Sequence, residues 1–274
     1  MTKRITFIVA MALLVLYDAH SGIAQMITAH RGASFDAPEN TLAAFNLAWS
    51  QGADAIEGDF YLTSDRKIVC IHDKDTLRTA GVKFVVEQTS FDQLRNLEVG
   101  SWQAKAFAGE KIPTFEEVLA TVPVGKQFVI ELKTGVEIVP VLEQELKRLN
   151  PPKDSLLIIS FDAASISKCK QLLPDIHAHW LTDIKIDSQG NVSPQPEFIA
   201  KTVVECGADG VGMKGEPKAI DQKFIAALNK GSCREFHVWT IDKIDDAKYF
   251  RSLGAVGITT NRPAFIRNSL SLKR

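Results

Sequence analysis

Residues 26–52, MITAHRGASFDAPENTLAAFNLAWSQG, decide the fold. The apolar run 26–29 reads as a short strand. Residues 41–51 read as a helix with Leu42, Phe45 and Trp49 on one face and Gly52 as its stop. Between them lies HRGASFDAPEN. An open doubly wound sheet usually carries a glycine-rich phosphate loop, G-x-G-x-x-G, after its first strand, and this loop has none. A histidine and an arginine stand where the strand stops, with Glu39 and Asn40 close behind. For Asn40 the plain role is N-cap of the helix, and for Glu39 a partner of the helix dipole.

The same strand–helix unit recurs along the chain. Strands are expected at 26–29, 54–61, 127–132, 156–160, 177–181, 210–213, 236–240 and 256–259, each followed by a helix-like segment. The helices fall at 41–51, 115–121, 137–149 and 162–173. A fifth is capped by Ser193 with Pro194 at its first position and Gly207 as stop. The sixth spans 218–230, the seventh is capped by Asp242 and stopped by Gly254, and the eighth follows Pro263. Strict alternation implies parallel strands joined by right-handed crossovers. Eight units in about 240 residues fit an α/β fold of the closed TIM (β/α)8 barrel type. The alternation breaks once, at 73–113, which reads as a small insertion after the second strand. Ser90-Phe91-Asp92-Gln93 looks like a capping box there, ahead of a loop with Trp102 and Phe107.

Hydrophobic content of 45% supports a large core, and the net charge of −1 comes from interspersed residues of both signs. The absence of a basic tract argues against nucleic acid as a partner. Residues 1–24 have the layout of a signal peptide: Lys3 and Arg4, an apolar run over 5–17, and Gly22-Ile23-Ala24 before Gln25. The run is short for a membrane span, and no later run would serve as one. The expectation is one domain over 25–274 in a secreted or periplasmic protein with no stable membrane span. Cys70, Cys169, Cys206 and Cys233 are widely spaced, which disfavours a zinc site and makes buried thiols the default.

In a (β/α)8 barrel, chemistry sits at the C-terminal ends of the strands. His30 and Arg31 follow the first strand, and Glu57 and Asp59 lie near the end of the second. His72 and Asp73 end a short run at 67–71 that pairs back through a turn at 64–66. Glu131 and Lys133 close the third strand, Lys214 follows the sixth, Trp239 closes the seventh and Asn261 follows the eighth. Residues two apart on a strand share a face, so Glu57 and Asp59 converge, as do Glu131 and Lys133. Three inward carboxylates repel one another unless a cation holds them, and all-oxygen ligands suit Ca2+ or Mg2+. Taken alone, the Glu57–Asp59 pair is better explained by ion pairs with nearby Lys or Arg, and it is Glu131 at the same level that favours a metal. Two rim histidines beside an acidic cluster suggest acid–base partners, whereas a single one is more often structural. Arg31 and Lys133 add positive charge suited to an anionic, phosphate-bearing substrate.

At these residues the chain closely resembles the glycerophosphodiester phosphodiesterase family. The marks are H-R-G at 30–32, P-E-N-T at 38–41, E-x-D at 57–59, L-T at 62–63, H-D at 72–73, E-L-K at 131–133 and V-W-T at 238–240. Residues 99–119 also resemble the family's insertion and its exit. The likeness runs over about 26–267. It implies a TIM barrel in which Glu57, Asp59 and Glu131 bind a divalent cation, often Ca2+ or Mg2+. It further implies His30 and His72 as the acid–base pair, Arg31 and Lys133 on phosphate, and Trp239 against the glycerol. Asp242 stands where the family often has Asn, and the turn at 64–67 lacks the usual Gly.

The function expected is hydrolysis of a small-molecule glycerophosphodiester to glycerol 3-phosphate and an alcohol. Two alternatives stand beside it: a lysophospholipase D or sphingomyelinase D-like enzyme, marked by a wider apolar mouth, and a non-catalytic secreted phosphodiester-binding module. The intact histidine pair argues against the last.

Overall fold

The computed structural model describes residues 26–270. The expected signal peptide, 1–24, lies outside the described residues. In chain order the strands are β1 (Met26–His30), β2 (Ala55–Leu62), β3 (Ile68–Cys70), β4 (Gln127–Leu132), β5 (Leu156–Ser160), β6 (His177–Thr182), β7 (Lys185–Ile186), β8 (Val192–Ser193), β9 (Gly210–Lys214), β10 (Phe236–Trp239) and β11 (Gly257–Thr260). All but β3, β7 and β8 are parallel neighbours in one sheet, and β1 pairs with both β2 and β11, which closes the barrel. The α-helices are α1 (Leu42–Ser50), α2 (Leu77–Ala80), α3 (Phe91–Arg95), α4 (Phe115–Leu119), α5 (Val139–Leu149), α6 (Ala163–Leu172), α7 (Pro196–Cys206), α8 (Gln222–Lys230), α9 (Ile244–Ser252) and α10 (Pro263–Ser269). Among the described residues no helix is long and apolar enough to cross a membrane.

Side-chain alternation on the strands builds two layers. On β2, Ile56 and Phe60 point outward, and the fully buried Phe60, Phe115 and Phe128 rings meet between barrel and helices with centroids 5.5–5.7 Å apart. Each buried ring of this kind contributes roughly 2–3 kcal/mol. Inside the barrel, Ala55, Val129, Ile159 and Leu181 form a small apolar cluster. Glu57, Asp59 and Glu131 continue the inward-facing rows of Ala55 and Val129. The register sets Glu57 beside His30 and Asp59 beside Glu131.

Several helix starts differ from the sequence expectation, each for a local reason. Thr41, not Asn40, caps α1, its hydroxyl accepting the Ala44 N–H at 3.2 Å. Ser193 belongs to β8, paired with β7, so α7 begins later, at Pro196. Asp221 caps α8 and shortens it to 222–230. Asp242 does not cap α9, because its carboxylate is spent on β11 and the residue beyond it. Ser90 bonds the Gln93 side chain and no backbone group, so the capping box fails there; it forms instead at Thr114–Glu117.

Residues 73–113 extend a small core of their own. Val86, Leu94, Val99 and Ile112 pack on Tyr61, Val69 and Ile71, and Arg95 holds Glu117 of α4 through both guanidinium arms. The four cysteines are buried and free.

Candidate active site

The H-R-G turn is built by backbone constraint. Gly32 has φ +82°, and a Cβ on it would lie 2.6 Å from the Ala44 carbonyl carbon, so only glycine lets the loop lie against α1. Arg31 is also left-handed, at φ +55°. Its N–H donates to Glu57 Oε2 at 2.9 Å, which fixes one carboxylate oxygen and leaves Oε1 buried without a partner among the described residues.

Glu57, Asp59 and Glu131 are all buried, with ligand oxygens within 4.8 Å of one another. Their environments differ. Burial pushes the Glu57 carboxyl well up, and the charges of Asp59 and Glu131 push it further. Glu131 is pushed up to about 7 by burial and by Asp59, even though Lys133 Nζ lies 2.7 Å away. Burial also opposes charge on Asp59, but Arg31 at 3.3 Å, Lys133 at 3.4 Å and the Asn40 amide at 2.8 Å together hold its carboxyl below the usual range. Asn40 therefore clamps Asp59, donating from Nδ2 and accepting the Asp59 N–H through Oδ1. An orphaned buried carboxylate oxygen inside a cluster of three acids is a donor set that fits a hard divalent cation. The three residues are a possible site for one.

The two histidines are oriented differently. His30 Nδ1 lies 2.7 Å from Asn261 Oδ1. Asn261 turns its amide N–H to Asp242 Oδ2 at 2.6 Å, so its oxygen must face His30. The proton of neutral His30 therefore sits on Nδ1, and Nε2 carries the lone pair. Burial, and then the Arg31 charge, push His30 down to about 4, so it is neutral at pH 7. His72 Nδ1–H donates instead to a carboxylate, Asp73, at 2.7 Å. Arg78 grips that carboxylate and, with burial opposed and His72 assisting, brings it down to about 2. Arg78 also holds Glu39, which pairs with Arg31 at 3.0 Å. The insertion thus reaches the rim through Arg78.

His30, Arg31, Glu57, His72, Glu131, Lys133 and Trp239 line one cavity of about 120 Å³, and Asp59, at 1% exposure, sits behind the Arg31 and Lys133 side chains that pair with it. All eight residues expected from sequence come together. Phe161 packs edge-on against Trp239 at 5.5 Å and gives the cavity an aromatic wall. Trp239 Nε1 is shielded and without a partner among the described residues. Lys214 stays outside, 3.4 Å from Asp183. Sequence reasoning missed the roles of Asn40, Asn261 and Asp242, and did not single out Phe161 or His237. Asn261 had a signal, its place after the last strand; Asn40 and Asp242 were masked by their resemblance to helix caps.

Residues 30–265 match the Glycerophosphoryl diester phosphodiesterase family. YhdW of Bacillus subtilis (strain 168) is 34% identical over 244 residues, 88% of this chain and 96% of its own. A glycerophosphodiester phosphodiesterase of Caldanaerobacter subterraneus subsp. tengcongensis is 29% identical over 249 residues, 89% of this chain and 96% of its own. Among solved structures, a phosphodiesterase of Oleispira antarctica in complex with the product sn-glycerol-3-phosphate superposes with a TM-score of 0.78 at 25% identity, covering 92% of this chain and 98% of that one.

Proposed function

The chain belongs to the glycerophosphoryl diester phosphodiesterase family of phosphoric diester hydrolases, and from that premise we propose a two-histidine, cation-dependent cleavage of small glycerophosphodiesters to glycerol 3-phosphate and an alcohol. One observation carries the reading. His30 and His72, each with Nδ1 tied to a fixed acceptor, share a narrow cavity with Glu57, Glu131, Arg31 and Lys133, and Asp59 completes the acidic cluster beside it.

His30 is the base of the first step. Its Nε2 lone pair takes the proton of the substrate's 2-hydroxyl, whose oxygen attacks phosphorus. His72 donates a proton to the leaving alcohol oxygen, and the Asp73 carboxylate stabilises the His72 imidazolium that supplies it. The P–O bond to the alcohol breaks and a cyclic phosphate remains. Water then adds with the roles reversed: His72 takes its proton and His30 returns one to O2. Arg31 and Lys133 face the phosphoryl oxygens with their spare N–H donors, and charge-assisted bonds strengthen as the phosphorane forms. Glu57, Asp59 and Glu131 would hold the divalent cation, Ca2+ or Mg2+, which supplies Lewis acidity and countercharge. Trp239 and Phe161 pack the uncharged part of the substrate. A cavity of about 120 Å³ favours a small diester over a lipid.

The test is release of glycerol 3-phosphate from glycerophosphocholine and glycerophosphoethanolamine, after EDTA treatment and after Ca2+ or Mg2+ is restored, beside Glu57→Ala. Metal-dependent release lost in the variant supports the reading, and unchanged release in EDTA rejects cation dependence. From the sequence layout of residues 1–24 alone, we further propose that the protein is exported across a membrane and loses that segment. N-terminal sequencing of the exported protein should begin at Gln25, and an intact Met1 in that fraction would reject cleavage.

A further inference from the structure

A second hollow, larger than the site cavity, lies at the other end of the barrel. A pocket of about 730 Å³ opens at the strand N-termini, where Asp154, Asp175 and Glu235 share its wall with Lys153, His177 and His179. Three carboxylates face one ammonium there, so the pocket favours a cation.

His179 is its buried element, at 1% exposure. Its Nδ1 lies 3.1 Å from His237 Nδ1, with the rings stacked at 22° and 5.3 Å between centroids. Its Nε2 lies 3.5 Å from Glu235 Oε2 and makes no hydrogen bond among the described residues. That spacing is long for an N–H···O bond. It is close to the edge of a tetrahedron whose centre holds N and O donors at about 2.0–2.1 Å, an edge of roughly 3.3–3.4 Å. The barrel is shaped around this arrangement. A Cβ on Gly210 would lie 2.8 Å from His179 Nε2, and one on Gly212 would lie 2.4 Å from His237 Nε2. Strand β9 leaves both positions bare. His177 stands two residues before His179 on β6, on the same face, and is exposed to the pocket.

We propose that His179, Glu235 and His177 form a second cation site, at the N-terminal mouth of the barrel, for a borderline transition ion of the Zn2+ class. Mixed imidazole and carboxylate donors select such an ion over Ca2+ or Mg2+. His179 binds through Nε2, its Nδ1–H donating to His237 Nδ1, a buried partner that fixes the tautomer as outer-shell groups do for metal-bound histidines. His177 swings in as third ligand, and the pocket leaves a fourth position to water.

The experiment titrates the untagged, chelator-stripped full chain with Zn2+ by calorimetry and with Co2+ by visible absorption. The wild type is expected to bind one equivalent of Zn2+ more than His179→Gln or Glu235→Gln, and to show Co2+ d–d bands that both variants lose. His237→Gln should keep the stoichiometry and weaken affinity about 10–100-fold. Glu57→Ala, at the opposite mouth, should keep the extra equivalent. Glu235 is partly exposed, so its variant reports even if His179→Gln fails to fold. Equal stoichiometry and affinity in wild type and Glu235→Gln, or loss of the extra equivalent in Glu57→Ala, would overturn the site.

Discussion

His30 and His72 differ in what holds them, and the difference assigns their roles. A neutral amide fixes His30, and a carboxylate fixes His72. His30 is brought from 6.5 to about 4 by burial and the Arg31 charge. Protonation removes the base, so activity carried by His30 survives as pH falls through 6.5 and is lost only as it falls through about 4. At saturating divalent cation, the acid limb of kcat/KM should lie well below 6.5. Arg31→Gln should lower the rate and move the limb upward, because a cation that opposes protonation is gone. A limb at 6.5 in the wild type, unmoved in the variant, would contradict the assignment. At this scale the positions of the three carboxylates and the two histidines were legible because strand-end position and two-residue spacing place them. Asn40 and Asp242 were not legible. A polar residue before a helix reads as a cap, and only tertiary register shows Asn40 turned to Asp59 and Asp242 to Asn261.

The elements that carry the site are β2 and β4, held in register by ladder bonds and outward by the Phe60–Phe115–Phe128 cluster. Phe128→Ala should cost about 3–5 kcal/mol, the usual range for a fully buried ring. Chemical denaturation measures it, and a loss under 1 kcal/mol would show that the cluster does not support the barrel wall. Strand positions were readable to within a residue because parallel strands buried on both faces appear as short apolar runs. Helix starts were less readable. β8 consumed Ser193, and the failed box at Ser90 fits the same Ser/Thr-x-x-Glu/Gln pattern as the working one at Thr114. The turn at 64–66 closes without glycine by placing Arg66 at φ +61°, and the Lys67 N–H bonds the Thr63 hydroxyl.

The molecule as a whole stores unfavourable charge at one barrel mouth. Glu131 titrates at about 7 folded against 4.5 for the free side chain. The folded state binds that proton more tightly, so the stabilisation is complete below 4.5 and disappears as pH rises through 7. The cation-free protein should therefore lose stability, on the order of 1–3 kcal/mol, between those limits relative to Glu131→Gln. Divalent cation should restore it and release protons on binding. Melting curves with and without EDTA across pH 4.5–8 check this. Wild type gaining stability over Glu131→Gln as pH rises without cation would contradict it. Barrel closure was legible because the alternation of eight strand–helix units leaves few other topologies. The hollow at the opposite mouth was not, because its residues come from six separate strands or the loops before them and carry no shared motif.

The most direct test of the central claim is a 31P NMR time course of glycerophosphocholine with wild type and the His30→Ala/His72→Ala double variant, both at saturating divalent cation. The wild type should convert the diester signal to glycerol 3-phosphate. The double variant should fall by at least about 10²-fold, the lower bound for general acid–base groups. Equal conversion by both proteins would contradict two-histidine catalysis.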